Sequence, residues 1–337
     1  MAARVVLVAG FTHHDVADEL WRASPESSLV RHDLSSLADG VLRRWADGRL
    51  TVLELAHGCV SCTLRLDLIP LLEGIDGRVI VQLDPMLEPE AVCFALGETE
   101  VEVEAVVTVL DTATWLDDAT GADSLADRGM RAAEGDERTV AQVVVGQAEF
   151  ADALVLTGPA DPVLTAVLDR LTPHAPRQLL PELDVVTLLG AIPATSRRGE
   201  IDDGFGSLLF GRPSLEPAHG VSVVHFTDRR PFHPMRLHDC IDVLLDGVVR
   251  VRGRVWVASQ PDDALWLESA GAGLRIGNLG PWDGDRDQEL VVITTSADAA
   301  GITAALRSAL VTDEELGLMT ELDFADPFAE WHEEMEL

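Results

Sequence analysis

Short runs of aliphatic and β-branched residues alternate with helical patterns through the first half of the chain. The runs RVVLVAGF (4–11), RVIVQLDP (78–85) and ADALVLTG (151–158) predict strands that are buried on both faces, and AVVTVLDTATWL (105–116) predicts a further strand with its trailing loop. Segments such as DVADELWRA and TVAQVVVGQAEF, which flank these strands, predict helices. Strands separated by helices predict an α/β fold with a parallel sheet that helices cover on both faces.

The pattern changes to an α+β arrangement after residue 220. Residues 221–277 predict a strand, a helix and two strands, and residues 288–310 add a strand and a helix. The preceding segment, 196–220, is rich in Gly, Pro and Arg and forms the best boundary. The sequence therefore predicts a first domain at 1–195, a linker at 196–220 and a second domain at 221–337. The Asp-, Glu-, Ala- and Gly-rich residues 118–138 predict a mobile surface insertion.

Composition adds limits on compartment and partners. The 337 residues include 58 acidic and 25 basic residues, which give a formal net charge of −33, and the sequence contains no lysine. Such a surface repels a phosphate backbone within a Debye length of about 8 Å, so we expect little direct contact with nucleic acid and a basic protein as partner. No apolar run approaches the roughly 18 residues that span a bilayer, and the apolar start lacks a basic leader, so we expect no membrane contact and a cytoplasmic protein.

Two of the four cysteines stand close together in GCVSC (58–62). Cys59 and Cys62 have a spacing that can supply half of a zinc site, because such sites use about four thiolate or imidazole ligands. The candidates for the other half are His57, Glu54, the pair His13 and His14, and Cys93. Two further interpretations stay open: the cysteines are small apolar fillers at a turn, or they form a redox pair at a helix start beside Arg65.

Several motifs in order resemble those of the CobW family of P-loop GTPases and metallochaperones. GCVSC (58–62), LDPMLEP (83–89), TVLDTAT (108–114) and RRPFHPMRLH (229–238) occupy the places of the family's cysteine motif, switch strand, Val-Asp-Ala element and C-terminal domain opening. The resemblance covers nearly the whole chain. It implies a P-loop-NTPase-like parallel sheet domain followed by a smaller α+β domain of the CobW C-terminal type.

The residues that hold a nucleotide in this family are replaced. On the family's P-loop, Gly10 keeps the first glycine, but Val16 stands for the lysine and Ala17 for the hydroxyl residue that binds Mg²⁺. Pro85, which has no N–H group, replaces the switch glycine, and TGPA (157–160) replaces the Asn-Lys-x-Asp segment that recognises guanine. We therefore expect a pseudo-GTPase without catalytic or nucleotide-binding residues.

Within the family, the chain resembles an actinobacterial branch that also lacks the P-loop lysine. The shared phrases are AHGCVSCT, VGQAEFAD, RRPFHP, LLDGVVR and WLESAG, which begin at 56, 145, 229, 244 and 266. The branch includes a protein that recruits a ribosome hibernation factor to the small ribosomal subunit when zinc is scarce. The resemblance thus implies an adaptor linked to zinc limitation, whose basic partner is a hibernation factor or a small-subunit ribosomal protein.

A zinc-binding, metallochaperone-like protein without NTPase activity is the alternative function. In that case zinc is the one cofactor to expect, and Cys59 and Cys62 are its candidate ligands. The family motif has three cysteines, and Ser61 stands in the middle place here.

Overall fold

The structure is a computed structural model of the chain. It describes residues 2–12, 14–55, 60–130, 133, 135–201, 209, 212–282, 284, 286–319 and 321–328, and of residues 61 and 62 it describes the backbone alone.

The first domain is built on a mixed, mainly parallel sheet with the order β4-β3-β2-β5-β1-β6-β7-β8. Its strands are β1 (Ala3–Gly10), β2 (Ser28–Asp33), β3 (Val41–Ala46), β4 (Arg49–Glu54), β5 (Gly77–Gln82), β6 (Glu102–Leu110), β7 (Ala153–Leu156) and β8 (Arg177–Leu179). The central strand β1 pairs in parallel with β5 and with β6, and five of its residues are fully buried. The predicted α/β fold class is confirmed.

Helices lie on both faces of this sheet and provide two separate apolar clusters against it. They are α1 (Val16–Ala23), α2 (Val60–Thr63), which continues through a π-helical turn (Leu64–Leu68) into α3 (Ile69–Glu73), α4 (Pro89–Leu96), α5 (Trp115–Thr120), α6 (Val140–Glu149), α7 (Pro162–Leu171) and α8 (Val185–Gly190). Helix α6 begins with a capping box in which Thr139 and Gln142 satisfy each other's backbone groups.

Three strands near one edge of the sheet were not predicted from the sequence. Strand β2 runs parallel to β5, whereas β3 and β4 form an antiparallel hairpin beside it. Their sequences, SLVRHD, VLRRWA and RLTVLE, carry charged residues and are only partly buried, so they lack the continuous apolar runs of the central strands. The hairpin makes the sheet mixed where a parallel sheet was expected.

The second domain contains an antiparallel sheet with the order β12-β11-β10-β13-β9. Its elements are β9 (Ser222–Asp228), α9 (Pro234–Leu245), β10 (Val248–Val255), β11 (Asp263–Ala270), β12 (Gly273–Pro281), β13 (Gln288–Thr294), α10 (Ala299–Ala309) and α11 (Asp313–Gly317). The predicted order of helices and strands is confirmed except for β12, which the sequence analysis did not distinguish from the strand before it. The α+β character of this domain is confirmed.

Residues 118–138 pack against the first domain rather than standing apart from it, as far as they are described. Leu125 is fully buried, Ser124 forms a bridge with Thr139, and Arg138 donates a hydrogen bond to the carbonyl oxygen of Met86. The described part of this insertion is anchored to the first domain by these contacts, and its mobility stays a prediction. The domain boundaries at 195 and 221 stay predictions. In the described ranges, no helix is both long and apolar enough to span a bilayer.

Candidate functional site

The loop after β1 and the start of α1 occupy the place of a phosphate-binding loop. Val16, which begins α1, and Ala17 are both 0% exposed and belong to the apolar cluster between this helix and the sheet. A P-loop directs a lysine and a hydroxyl toward the phosphates from these two positions. Here both positions contribute to core packing and present neither a cation nor a hydroxyl.

Gly10 lies against a side chain of the protein itself, whereas a P-loop glycine lies against a phosphate group. A Cβ atom on Gly10 would lie 2.7 Å from Nε2 of His14, whose side chain is buried. The missing side chain therefore makes room for an imidazole ring above the end of β1. His13, the other candidate in this pair, lies outside the described residues.

The segment that follows β5 corresponds to a GTPase switch, and side chains hold its backbone in place. Gln147 of α6 donates from Nε2 to the carbonyl oxygens of Pro85 (2.9 Å) and Leu87 (3.0 Å). Arg138 donates to the carbonyl oxygen between them, that of Met86, at 2.9 Å. Three successive carbonyl groups thus have side-chain donors, and this fixes the segment without a bound phosphate.

Asp84, near the start of the same segment, also holds the backbone in place. Its carboxylate accepts hydrogen bonds from the backbone N–H of Leu34 at 2.7 Å and of Met86 at 3.0 Å. Burial raises the pKa of Asp84, and the two N–H donors only partly oppose this effect. The carboxylate is used as a backbone acceptor, as in an Asx turn, and this leaves it occupied within the protein.

The TGPA segment contacts the loop after β6. Thr157 donates from Oγ1 to Asp111 Oδ1 at 3.3 Å and accepts from the N–H of Thr112 at 3.2 Å. A nearby cleft, lined by Phe11, Thr108 and Gln147 among others, has a volume of about 10 Å³, which is room for about one water molecule. This cleft is far too small for a nucleotide.

The predicted zinc ligands are only partly open to a structural test. Cys59 and His57 lie outside the described residues, and of Cys62 only the backbone is described, in α2. Glu54 ends β4 and His14 follows β1, and three strands separate β4 from β1, which places the two roughly 19 Å apart at ~4.8 Å per strand. They therefore cannot share a metal ion.

Cys93 is also a poor ligand. It is 3% exposed on α4, and burial strongly raises the pKa of its thiol, which disfavours the thiolate that zinc requires. The described residues contain no group of three or more His, Cys, Asp or Glu side chains placed to hold a metal ion. They therefore provide no zinc site, and Cys59 with Cys62 stays a prediction.

The two domains meet at a buried network of arginines and glutamates that the sequence analysis missed. Arg250 of β10 lies 2.9 Å from Glu149 of α6, and Arg252 lies 3.2 Å from the same carboxylate and 3.1 Å from Glu90 of α4. Glu268 of β11 approaches both arginines, at 3.3 and 3.4 Å. This network joins elements of the first domain to the sheet of the second.

Opposite charges outweigh the cost of burial in this network. Burial alone would raise the pKa of Glu149 and of Glu268, but Arg250 and Arg252 lower both below the usual range. The signals in the sequence were weak: a Gln and a Glu at the end of a mainly apolar helix, VAQVVVGQAE, and three arginines in a strand, VVRVRGRV, of which the first two belong to the network. Polar residues in segments that are predicted to be buried mark contacts of this kind.

Comparison with known proteins agrees with this architecture. Residues 221–310 match the family model described as the cobalamin synthesis protein cobW C-terminal domain. The protein named Zinc chaperone Rv0106, from Mycobacterium tuberculosis (strain ATCC 25618 / H37Rv), is 39% identical over 99% of this chain and 94% of its own length. The Zinc-regulated GTPase metalloprotein activator 1 of Dictyostelium discoideum is 27% identical over 79% of this chain and 67% of its own length.

One solved structure, the Zn(II)-bound YjiA GTPase from E. coli, aligns over 92% of this chain and 99% of its own with 15% identity and a TM-score of 0.40. The assignment does not depend on that likeness. It depends on the mycobacterial relative, which is aligned along almost its whole length, and on the match to the second domain. On these grounds the chain belongs to the CobW family.

Proposed function

We propose that this chain serves zinc homeostasis as a non-catalytic member of the CobW family, a pseudo-GTPase that acts as an adaptor. The observation that carries the proposal is the set of contacts at the edge of the sheet that corresponds to the family's nucleotide site. Val16 and Ala17 lie in the core, and Gln147 and Arg138 occupy the carbonyl groups of the switch segment. A switch segment whose carbonyl groups are held by the protein's own side chains is less free to move in response to a γ-phosphate than a GTPase switch is.

The zinc part of the proposal comes from relatives. One relative is named a zinc chaperone and another a zinc-regulated GTPase metalloprotein activator. The shared phrases of the actinobacterial branch support a finer role, which is recruitment of a ribosome hibernation factor to the small ribosomal subunit under zinc limitation. With a net charge of −33, contact with a basic protein is more favourable than contact with rRNA phosphates.

Titration calorimetry with Mg²⁺ and GTP tests the pseudo-GTPase part, and we expect no binding up to millimolar nucleotide. A micromolar dissociation constant would contradict it. Co-sedimentation with small ribosomal subunits, with and without a hibernation factor and across a salt series, tests the adaptor part. We expect association that requires the basic protein. Tight binding to protein-free 16S rRNA that weakens steeply with salt would show a different route.

The second candidate is a zinc-binding metallochaperone-like protein without NTPase activity. The name of the mycobacterial relative favours it, as does the Cys59 and Cys62 pair. Zinc content per chain, measured before and after mild chelation in wild type and in C59A, separates the two candidates. One tightly held zinc that C59A abolishes would favour the metallochaperone, whereas substoichiometric zinc that is lost on chelation fits the adaptor.

A further inference from the structure

Strand β4 is the outermost strand of the first sheet, and no described strand lies beside its outer edge. It is joined to β3 by a two-residue turn at Asp47 and Gly48, which both have a positive φ, as in a type I′ hairpin. Beyond the other end of the hairpin, Leu55 donates from its backbone N–H to the carbonyl oxygen of Gly40 at 2.7 Å. The turn and this hydrogen bond agree on which residues of β4 bond to β3.

The backbone groups of Leu50, Val52 and Glu54 point away from β3. In an antiparallel pair, hydrogen bonds to the neighbouring strand occur at every second residue, and the odd-numbered residues of β4 make them here. The N–H and C=O groups of the even-numbered residues therefore face the outer edge. Natural edge strands are commonly blocked by charged side chains or proline, but residues 50–53 read LTVL and contain neither. As far as the chain is described, the outer edge of β4 is thus open to a further strand.

Apolar side chains border this edge on one face of the hairpin. Leu50 and Val52 are 53% and 55% exposed, although residues of these types are usually buried. Trp45 of β3 lies opposite Leu50 and is only partly buried, and Arg43 lies opposite Val52. An added strand would cover Leu50 and Val52 and satisfy the open backbone groups at the same time, and cross-strand pairs of apolar residues stabilise a sheet.

The charge of the hairpin decides between the possible partners. Residues 41–54 contain three arginines and two acidic residues, a formal charge of +1, within a chain whose net charge is −33. A basic protein would be attracted to the acidic remainder of the surface and not to this strip, and an acidic protein would find only one net positive charge here. A second copy presents the same uncharged edge, LTVL, and can cover it without placing like charges directly opposite each other.

We propose that this edge pairs two copies of the chain, with the two β4 strands antiparallel about a two-fold axis at Thr51. Such an axis is perpendicular to the sheet and keeps each face on the same side, so facing residues are both even-numbered or both odd-numbered. With the axis at Thr51, Leu50 of each copy lies opposite Val52 of the other as a hydrogen-bonded pair. An axis at Val52 would place Leu50 opposite Glu54 instead, so the apolar pattern favours Thr51. This inference goes beyond the proposed function and does not rest on it.

Sedimentation equilibrium of the full chain over roughly 1 to 300 μM tests the pairing, because a contact between two short strands is small and its dissociation constant should be micromolar. We expect a monomer–dimer equilibrium in wild type, and association weaker by roughly tenfold or more in V52P and V52K, since the two-fold axis repeats each change. Proline at position 52 removes an N–H group that β3 does not use, so the hairpin is kept, and lysine blocks edges in natural sheets. V186K, at an exposed valine of α8, is the control and should associate as wild type does.

Salt and cross-linking sharpen the test. Salt screens the repulsion between two acidic copies, so the dimer should become stronger as the salt concentration rises. Thr51 and its counterpart in the second copy form a non-hydrogen-bonded pair with Cα atoms about 4.5 Å apart, a separation that a disulfide can span. T51C should therefore form more disulfide-linked dimer than wild type or the exposed control V186C.

A wild type that stays monomeric at all concentrations would overturn the proposal, as would association that V52P and V52K leave unchanged or that V186K weakens equally. If V52P does not fold, V52K decides. A dimer that weakens steeply with salt, or no excess cross-linking of T51C over V186C, would show a different contact and overturn the pairing at β4.

Discussion

Two regions of the first domain differ in how they hold buried charged side chains. At the edge that corresponds to the family's nucleotide site, the side chains are apolar or are engaged with the protein's own backbone, as Val16 and Asp84 illustrate. At the face toward the second domain, Arg250, Arg252 and Glu149 are buried as ions. In the described residues, the first region has apolar side chains at positions 16 and 17 and holds Asp84 with backbone N–H groups, whereas the second pairs its buried charges with opposite charges.

Helix α6 connects the two regions. Gln147 holds the switch carbonyl groups, and Glu149, two residues later, pairs with the arginines of the second domain. Arg252 also pairs with Glu90 on α4, which directly follows the switch. In a GTPase, a switch moves in response to the γ-phosphate. Here side chains of the protein itself contact the same segment, and the two helices beside it also pair with the second domain.

The largest effect should come from removing the shared carboxylate of the interface. E149Q keeps the shape of the side chain but leaves two buried arginines with less negative charge. Breaking a buried ion pair on one side costs about 3 to 5 kcal/mol, and we expect a loss of that size in the free energy of unfolding, measured with urea. E19Q, in the exposed pair with Arg22, is the matched control and should cost less than about 1 kcal/mol. A loss in E149Q no larger than in E19Q would contradict the view of the interface as an ionic link.

The nucleotide edge can be tested by restoring the lost residues. V16K combined with A17S returns the lysine and the hydroxyl, but places a charge where Val16 is 0% exposed. We expect a loss of about 3 kcal/mol in the free energy of unfolding and no binding of Mg²⁺ and GTP in calorimetry. V186K, at a valine that is 70% exposed, is the control and should change stability by less than about 0.5 kcal/mol. Recovery of GTP binding would show that only these two residues had been lost.

Many of the strands could be predicted from the sequence, but the side-chain contacts of the two regions could not. The continuous apolar runs predicted β1, β5, β6 and β7. The motif order also predicts that positions 16, 17, 85 and 157–160 have lost their nucleotide chemistry, and this stays a prediction. The partly polar strands β2, β3 and β4 gave no such signal, because packing of one face against the rest of the domain stabilises them rather than a continuous apolar run.

The side chains that hold the switch segment also could not be predicted from local sequence patterns. Gln147 reaches carbonyl groups 60 and 62 residues earlier in the chain, and Arg138 reaches one 52 residues earlier. Sequence spacing carries no information on contacts at such separations without knowledge of the strand order. The role of Cys59 and Cys62 and the identity of the partner stay predictions for the same reason, since neither depends on a pattern within one element.

A smaller effect should follow from releasing the switch. Q147A removes the donor shared by the carbonyl groups of Pro85 and Leu87, and Gln147 itself is 1% exposed. Buried acceptors that lose their donor cost about 1 to 3 kcal/mol, and we expect about 2 kcal/mol with faster hydrogen exchange at the amides of Met86 and Leu87. Q178A, which removes an exposed hydrogen bond to Asp184, is the control and should leave these amides unchanged. Unchanged exchange in Q147A would mean that other contacts hold the switch.

The smallest effect concerns pH, and the two regions should respond with opposite signs. The pKa of Asp84 is raised in the folded state, so its contribution to stability is present below its unfolded pKa and is lost as pH rises through the folded value. The pKa of Glu149 is lowered, so its contribution is present above its unfolded pKa and is lost as pH falls. We measure urea unfolding of wild type, D84N and E149Q between about pH 2.5 and pH 8, because a carboxyl group with a lowered pKa loses its contribution to stability at and below the ordinary value of about 4, and one with a raised pKa loses it above that value. The stability difference between wild type and D84N should decrease as pH rises, by roughly 1.4 kcal/mol per unit of pKa shift. The difference between wild type and E149Q should increase over the same range. Because the amide group in D84N keeps one acceptor oxygen, any hydrogen bond lost in that variant shifts its curve by a constant and leaves the slope as the informative quantity. Parallel slopes for the two variants would show that the two regions do not differ in how they hold their carboxyl groups.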